Sequence, residues 1–87
     1  MDVERLKNIG QTSAEWLHAA GIHTKADLEA IGAVMAYKVI QHQRPQQVNM
    51  LLLYALQGAL MDIHWNALPP DLKDQLKRDA EEPLTIL

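Results

Sequence analysis

The sequence predicts an all-α fold, a compact bundle of about five helices with a helix-hairpin-helix-like N-terminal half. Three observations predict it. No segment alternates apolar and polar residues over strand length. Phenylalanine is absent and the β-branched residues are scattered. Helix-start and helix-stop residues recur along the chain at helical spacing.

The elements follow in order. A short turn or helix near Val3 to Lys7 leads to a break at Gly10. A helix should then run from about Thr12 to Ala20. Thr12 with Glu15 has capping-box spacing, and Gly10 is an alternative N-cap. Trp16, Leu17 and Ala20 share a face of it, and Gly21 suits a left-handed C-terminal cap. Thr24 and Asp27 repeat the capping-box spacing, Leu28 and Ile31 point inward, and Gly32 ends that helix. A third helix is expected from about Ala33 to His42, with Met35, Ala36, Val39 and Ile40 on its apolar side and Pro45 beyond it. The fourth, from about Gln47 to Met61, is apolar on nearly all sides and should be the element the others surround. Pro70 suits the first turn of a last helix, Leu72 and Leu76 give it a narrow apolar stripe, and Pro83 stops it. The tail "LTIL" is apolar and should fold back or dock on another copy.

With 87 residues, 48% of them hydrophobic, the chain is expected to form one domain over 1–87. It has no cysteine, which removes disulfides, thiolate metal sites and a cysteine nucleophile and fits a cytoplasmic protein. The start "MDVERLKNIG" is charged and does not resemble a signal peptide. The run "VNMLLLYALQGALMDI" is broken by Asn49, Gln57 and Asp62 and is shorter than the ~20 apolar residues a bilayer requires. No membrane association is expected. Net charge is −3, and all of it falls in residues 46–87, so the chain lacks the basic excess of a strong nucleic-acid binder.

Catalytic groups do not converge in the sequence. Ser13 is the only serine and lies at a helix start, where a hydroxyl ordinarily caps N–H groups. His18, His23, His42 and His64 match no metal-binding spacing, and His18 and His23 straddle a helix end that should not direct both rings to one metal. There is no glycine-rich phosphate loop. Gly58 sits inside a helix, where glycine costs about 1 kcal/mol relative to alanine, so another helix should approach there. The expectation is a protein that is not an enzyme, with no cofactor, no metal and no small-molecule substrate. Trp16, Tyr54 and Trp65 stand among leucines and alanines, and this favours a packing role over base stacking.

The turn "NIGQTSAEWLHAAGI" carries the main functional question. Helix-hairpin-helix modules hold a DNA phosphate on N–H groups at a glycine turn that opens a helix. This stretch resembles the second half of such a module, and its Asn-apolar-Gly-x-x-Ser order is similar to a DNA-contacting turn of the bacterial RNA polymerase alpha C-terminal domain. Lys7, Gly10, Gln11, Thr12, Ser13 and Lys25 are the candidate DNA-backbone contacts. Two departures count against that role: Asn8 stands where such hairpins often have a first glycine, and Gln11 and Thr12 stand where a Lys or Arg is common.

Order and spacing over about residues 6 to 76 narrow the resemblance. Asn8-Ile9-Gly10, Ser13-Ala14-Glu15-Trp16-Leu17, Gly21-Ile22, Asp27-Leu28, Gly32-Ala33, Leu53-Tyr54-Ala55-Leu56, Gly58-Ala59-Leu60 and His64-Trp65 together resemble the C-terminal domain of the TfoX/Sxy competence-regulator family. The resemblance implies an all-α, helix-hairpin-helix-like bacterial domain. In larger members it follows an α/β domain and takes part in regulating DNA-uptake genes, and it brings no catalytic residues. The resulting expectation is a regulatory or adaptor module that binds a macromolecule. A protein partner or a second copy of the chain is favoured, with Leu84, Ile86 and Leu87 as candidate contacts. Weak, non-sequence-specific DNA-backbone binding through the Gly10 turn is the alternative.

Overall fold

Caps written into the sequence decide where most of the helices begin and end. The computed structural model describes residues 1–82. A 3-10 turn at Val3–Arg5 precedes α1 (Gln11–Ala19), α2 (Lys25–Ile31), α3 (Ala33–Gln43) and α4 (Met50–Met61). A second 3-10 turn, Trp65–Ala67, then leads into α5 (Pro70–Glu81). The described residues contain five α-helices and no strand, only an isolated bridge between Asp2 and Thr24.

Gly10, not Thr12, is the N-cap of α1, so the Thr12–Glu15 capping box does not form. The helix closes with the pair of bonds expected around a left-handed residue: Gly21 N–H donates to His18 O (3.0 Å) and Ile22 N–H to Leu17 O (2.8 Å). Gly21 has φ +84°, and Ile22 and Leu17 are both buried. The Thr24–Asp27 box is present in full at α2. α4 starts later than its apolar pattern suggested, because Asn49 caps it by accepting from Leu51 N–H at 3.0 Å. It ends in a copy of the α1 closure, with Asp62 at φ 57° and Ile63 N–H donating to Gly58 O at 2.9 Å.

Packing follows the apolar stripes. α4 lies centrally against α2, α3, α5 and the second 3-10 turn, and Leu53 and Leu56 are fully buried on it. Leu17, Leu28, Ile40 and Val3 reach the same core from α1, α2, α3 and the first 3-10 turn. Burying one such side chain contributes roughly 1.5–3 kcal/mol before entropy is counted. On α3 the buried positions are Ala33, Ala36, Tyr37 and Ile40. Met35, expected on the apolar side, is 39% exposed, one helical step away from that stripe. No helix among the described residues is long and apolar enough to cross a membrane.

Candidate binding site: the Asn8 turn and the tryptophan groove

Asn8 organises the turn. Its backbone is left-handed (φ 71°), a conformation that asparagine tolerates better than most residues. Its amide Nδ2 donates to Ile63 O (2.9 Å) and Ala55 O (3.4 Å), and its Oδ1 accepts from Trp65 N–H (3.2 Å). The asparagine that looked like a departure from the two-glycine hairpin is therefore a clamp onto the end of α4. It also accounts for Gly58. A Cβ there would lie 2.5 Å from Asn8 Nδ2 and 2.7 Å from Ile63 O. The sequence reading expected another helix to come close; the close neighbours are a side-chain amide and a carbonyl.

Beyond the clamp, the chain opens α1 at Gly10. No side chain caps this helix and no acidic residue occupies its first turn. The first backbone bond is Ala14 N–H to Gly10 O at 3.0 Å, so the N–H groups of Gln11, Thr12 and Ser13 have no protein acceptor among the described residues. Gly10 itself has φ −90°, which any residue adopts, and a Cβ there would meet nothing within 4 Å. Neither backbone nor packing requires glycine at this position. It leaves bare the surface over the three N–H groups.

The candidate phosphate contacts do not all gather here. Gly10 to Ser13 form the helix start, and Lys7 is exposed just before it. Lys25 lies past the other end of α1, where its N–H bonds Met1 O at 2.9 Å. The nine residues of α1 set that end about 13 Å from Gly10. The flank between them is not basic: Glu4, Arg5, Gln11, Ala14, Glu15 and His18 line a shallow hollow along α1.

A second feature shares residues with the turn. A groove of about 250 Å³ is lined by Asn8, Ser13, Trp16, Gln47, Asn49, Leu51, Leu52, Ala55 and Trp65. Leu52 and Ala55 are buried at its apolar floor, while Leu51 is 45% exposed. Both indoles are half-buried, and each has a cation against it. The Arg44 guanidinium lies 5.8 Å from the Trp16 ring centre, and the Lys73 ammonium 5.5 Å from that of Trp65 and 5.6 Å from that of Tyr54. The expected leucine-and-alanine surroundings of these aromatics are thus incomplete. The sequence hid the cations because they come from the end of α3 and from α5. Arg44 Nε is moreover buried without a hydrogen-bond partner among the described residues.

The histidines at the end of α1 make local contacts. His18 and His23 stack with ring centres 5.1 Å apart, and His18 Nε2 lies 3.1 Å from Asp2 Oδ1. Turning back at Gly21 brings His23 over the last turn of α1, a contact the spacing did not reveal. The Asp2 carboxyl is held below its ordinary value first by the Glu4 N–H it accepts, with burial opposing and His18 adding to the shift. Asp27 is lowered by the N–H groups of His23 and Thr24. Among the described residues no three His, Asp or Glu side chains converge as metal ligands would. Leu84, Ile86 and Leu87, the candidate partner contacts, lie outside the described residues.

Comparison with known proteins agrees with this architecture. The TfoX C-terminal domain family matches residues 1–80 of the 87-residue chain. The chain belongs to the TfoX C-terminal domain family. Membership supports a regulatory or adaptor module. Two crystal structures from Listeria monocytogenes are similar to it. One, an uncharacterized protein in a triclinic form, is 35% identical with TM-score 0.84, over 88% of this chain and 86% of that one. The other, a protein of unknown function in a tetragonal form, is 36% identical with TM-score 0.82, over 87% of this chain and 93% of that one. No curated protein matches.

Proposed function

We propose that this TfoX C-terminal domain is a non-catalytic regulatory or adaptor module that docks a segment of a protein partner in the groove between Trp16 and Trp65. The observation that carries the reading is the groove itself: an apolar floor, an exposed Leu51 at the rim and two half-buried indoles in one wall system. Indole surfaces over an apolar, concave floor are common anchors of protein recognition. Amide groups of Asn49 and Gln47 along the rim can bond the main chain of a bound segment. Leu51→Asp tests this. Affinity capture from the source cell with wild type and variant should retain a protein that the variant loses. Identical retained sets would overturn the reading.

A second reading has one observation in its favour, the uncapped start of α1 beneath a glycine that the fold does not require. Three outward N–H groups at a helix N-terminus suit a DNA phosphate. The lack of a basic flank and the distance of Lys25 weigh against more than weak, non-sequence-specific binding. Gly10→Glu fits the open space and places a carboxylate on those N–H groups. Fluorescence anisotropy of a labelled duplex at low and physiological salt distinguishes the cases. Binding that fades with salt and vanishes in Gly10→Glu favours the phosphate role, and no binding at low salt removes it.

A further inference from the structure

Two cations flank the tryptophan groove without a counter-charge among the described residues. Among the described residues the one ion pair is His18 with Asp2, so neither Arg44 nor Lys73 has a carboxylate within 4.0 Å. Asp71 and Asp74 share α5 with Lys73 and still do not pair with it. Each cation rests against an indole of the groove wall, yet neither is part of the groove lining. Arg44 also keeps a buried Nε–H donor with no acceptor among the described residues. A cation–π contact is a weaker partner for guanidinium or ammonium than a charge-assisted bond to a carboxylate. These groups are poised for anions that would arrive with a ligand.

From this charge complementarity we infer that the occupant of the groove is an acidic amphipathic segment of a partner protein. Its aromatic or aliphatic anchor lies over Leu52 and Ala55 between the indoles, and carboxylates on either side of the anchor reach Arg44 and Lys73. The inference rests on the groove being a protein-docking site and adds the chemistry of what docks. An unpaired nucleic-acid strand also carries anions, but it needs open aromatic faces for its bases. The cations already occupy aromatic faces on which bases would stack. The acidic segment is the better fit.

The test uses the two tryptophans of the chain, both of which line the groove, as an intrinsic fluorescence probe. A randomised displayed peptide library is selected on the wild-type chain and counter-selected on Leu51→Asp. The enriched peptides are then titrated against wild type, Lys73→Glu and Arg44→Glu, with circular dichroism confirming the fold. If Arg44→Glu does not fold, Lys73→Glu carries the comparison. The expected result is peptides with Asp or Glu on both sides of an apolar anchor, a change in tryptophan emission, and affinity about tenfold weaker for a charge-reversal variant. Peptides that change tryptophan emission but show no acidic enrichment, or that ignore charge reversal, overturn this inference and leave the docking reading standing. Failure to enrich any peptide over the Leu51→Asp counter-selection overturns both. So does an emission change with oligothymidylate and none with the peptides.

Discussion

Asn8 makes three hydrogen bonds to main-chain groups that lie 47, 55 and 57 residues away. Replacing it by alanine would leave the Trp65 N–H and the Ile63 carbonyl without these partners. We expect Asn8→Ala to cost about 1–3 kcal/mol in urea unfolding. Gly58→Ala is a sharper test, since helix propensity alone favours alanine by about 1 kcal/mol. The new Cβ would overlap Asn8 Nδ2 and Ile63 O, so Gly58→Ala should instead destabilise by about 1–3 kcal/mol. A neutral or stabilising result would refute the clamp. The glycine inside α4 pointed to a close neighbour, and the atoms nearest to it are the Asn8 amide and the Ile63 carbonyl, with the Trp65 backbone beyond them. A side chain reaching across some fifty positions leaves no local periodicity to read.

At the scale of elements, what was legible is what is local. The Thr24–Asp27 box, the Gly21 cap and Pro70 at the head of α5 each act within a few residues, and all are present. The start of α1 was harder. Thr12 and Gly10 both satisfied the spacing rule, and the Asn8 clamp, a tertiary feature, decides where the helix can begin. Thr24→Ala should lower unfolding stability by about 1 kcal/mol through loss of the Asp27 N–H acceptor. The same box predicts a pH dependence. Asp27 has a folded-state pKa below its ordinary 3.8, so its contribution is fully present above that value. It is lost as pH falls below 3.8 and through the depressed folded value. Urea midpoints measured during acidification should therefore drop more for wild type than for Asp27→Asn. Parallel curves would contradict the assignment.

The whole molecule joins the clamp, the bare helix start and the groove. Asn8 and Ser13 belong both to the turn and to the groove lining, so the device that fixes α1 against α4 also shapes the surface beside it. All-α class, helix order and the family were readable from the chain, because caps and apolar stripes repeat along it. The groove was not, because its walls come from α1, α4 and the second 3-10 turn, and Arg44 and Lys73 meet their indoles only after folding. The charge distribution told against strong DNA binding at the outset, and the flank of α1, where Glu4 and Glu15 lie beside Arg5, adds no basic surface.

Recognition at the tryptophan groove and recognition at the start of α1 would perturb different amides. The direct measurement is a two-dimensional amide spectrum of the isotopically labelled chain, recorded while the protein retained in the capture experiment is added. With the groove as the docking site, both indole N–H signals should move together with the amides of Leu51 and Leu52, while those of Gln11 and Thr12 move least. Shifts centred on Gln11, Thr12 and Ser13 with unmoved indole signals would contradict it.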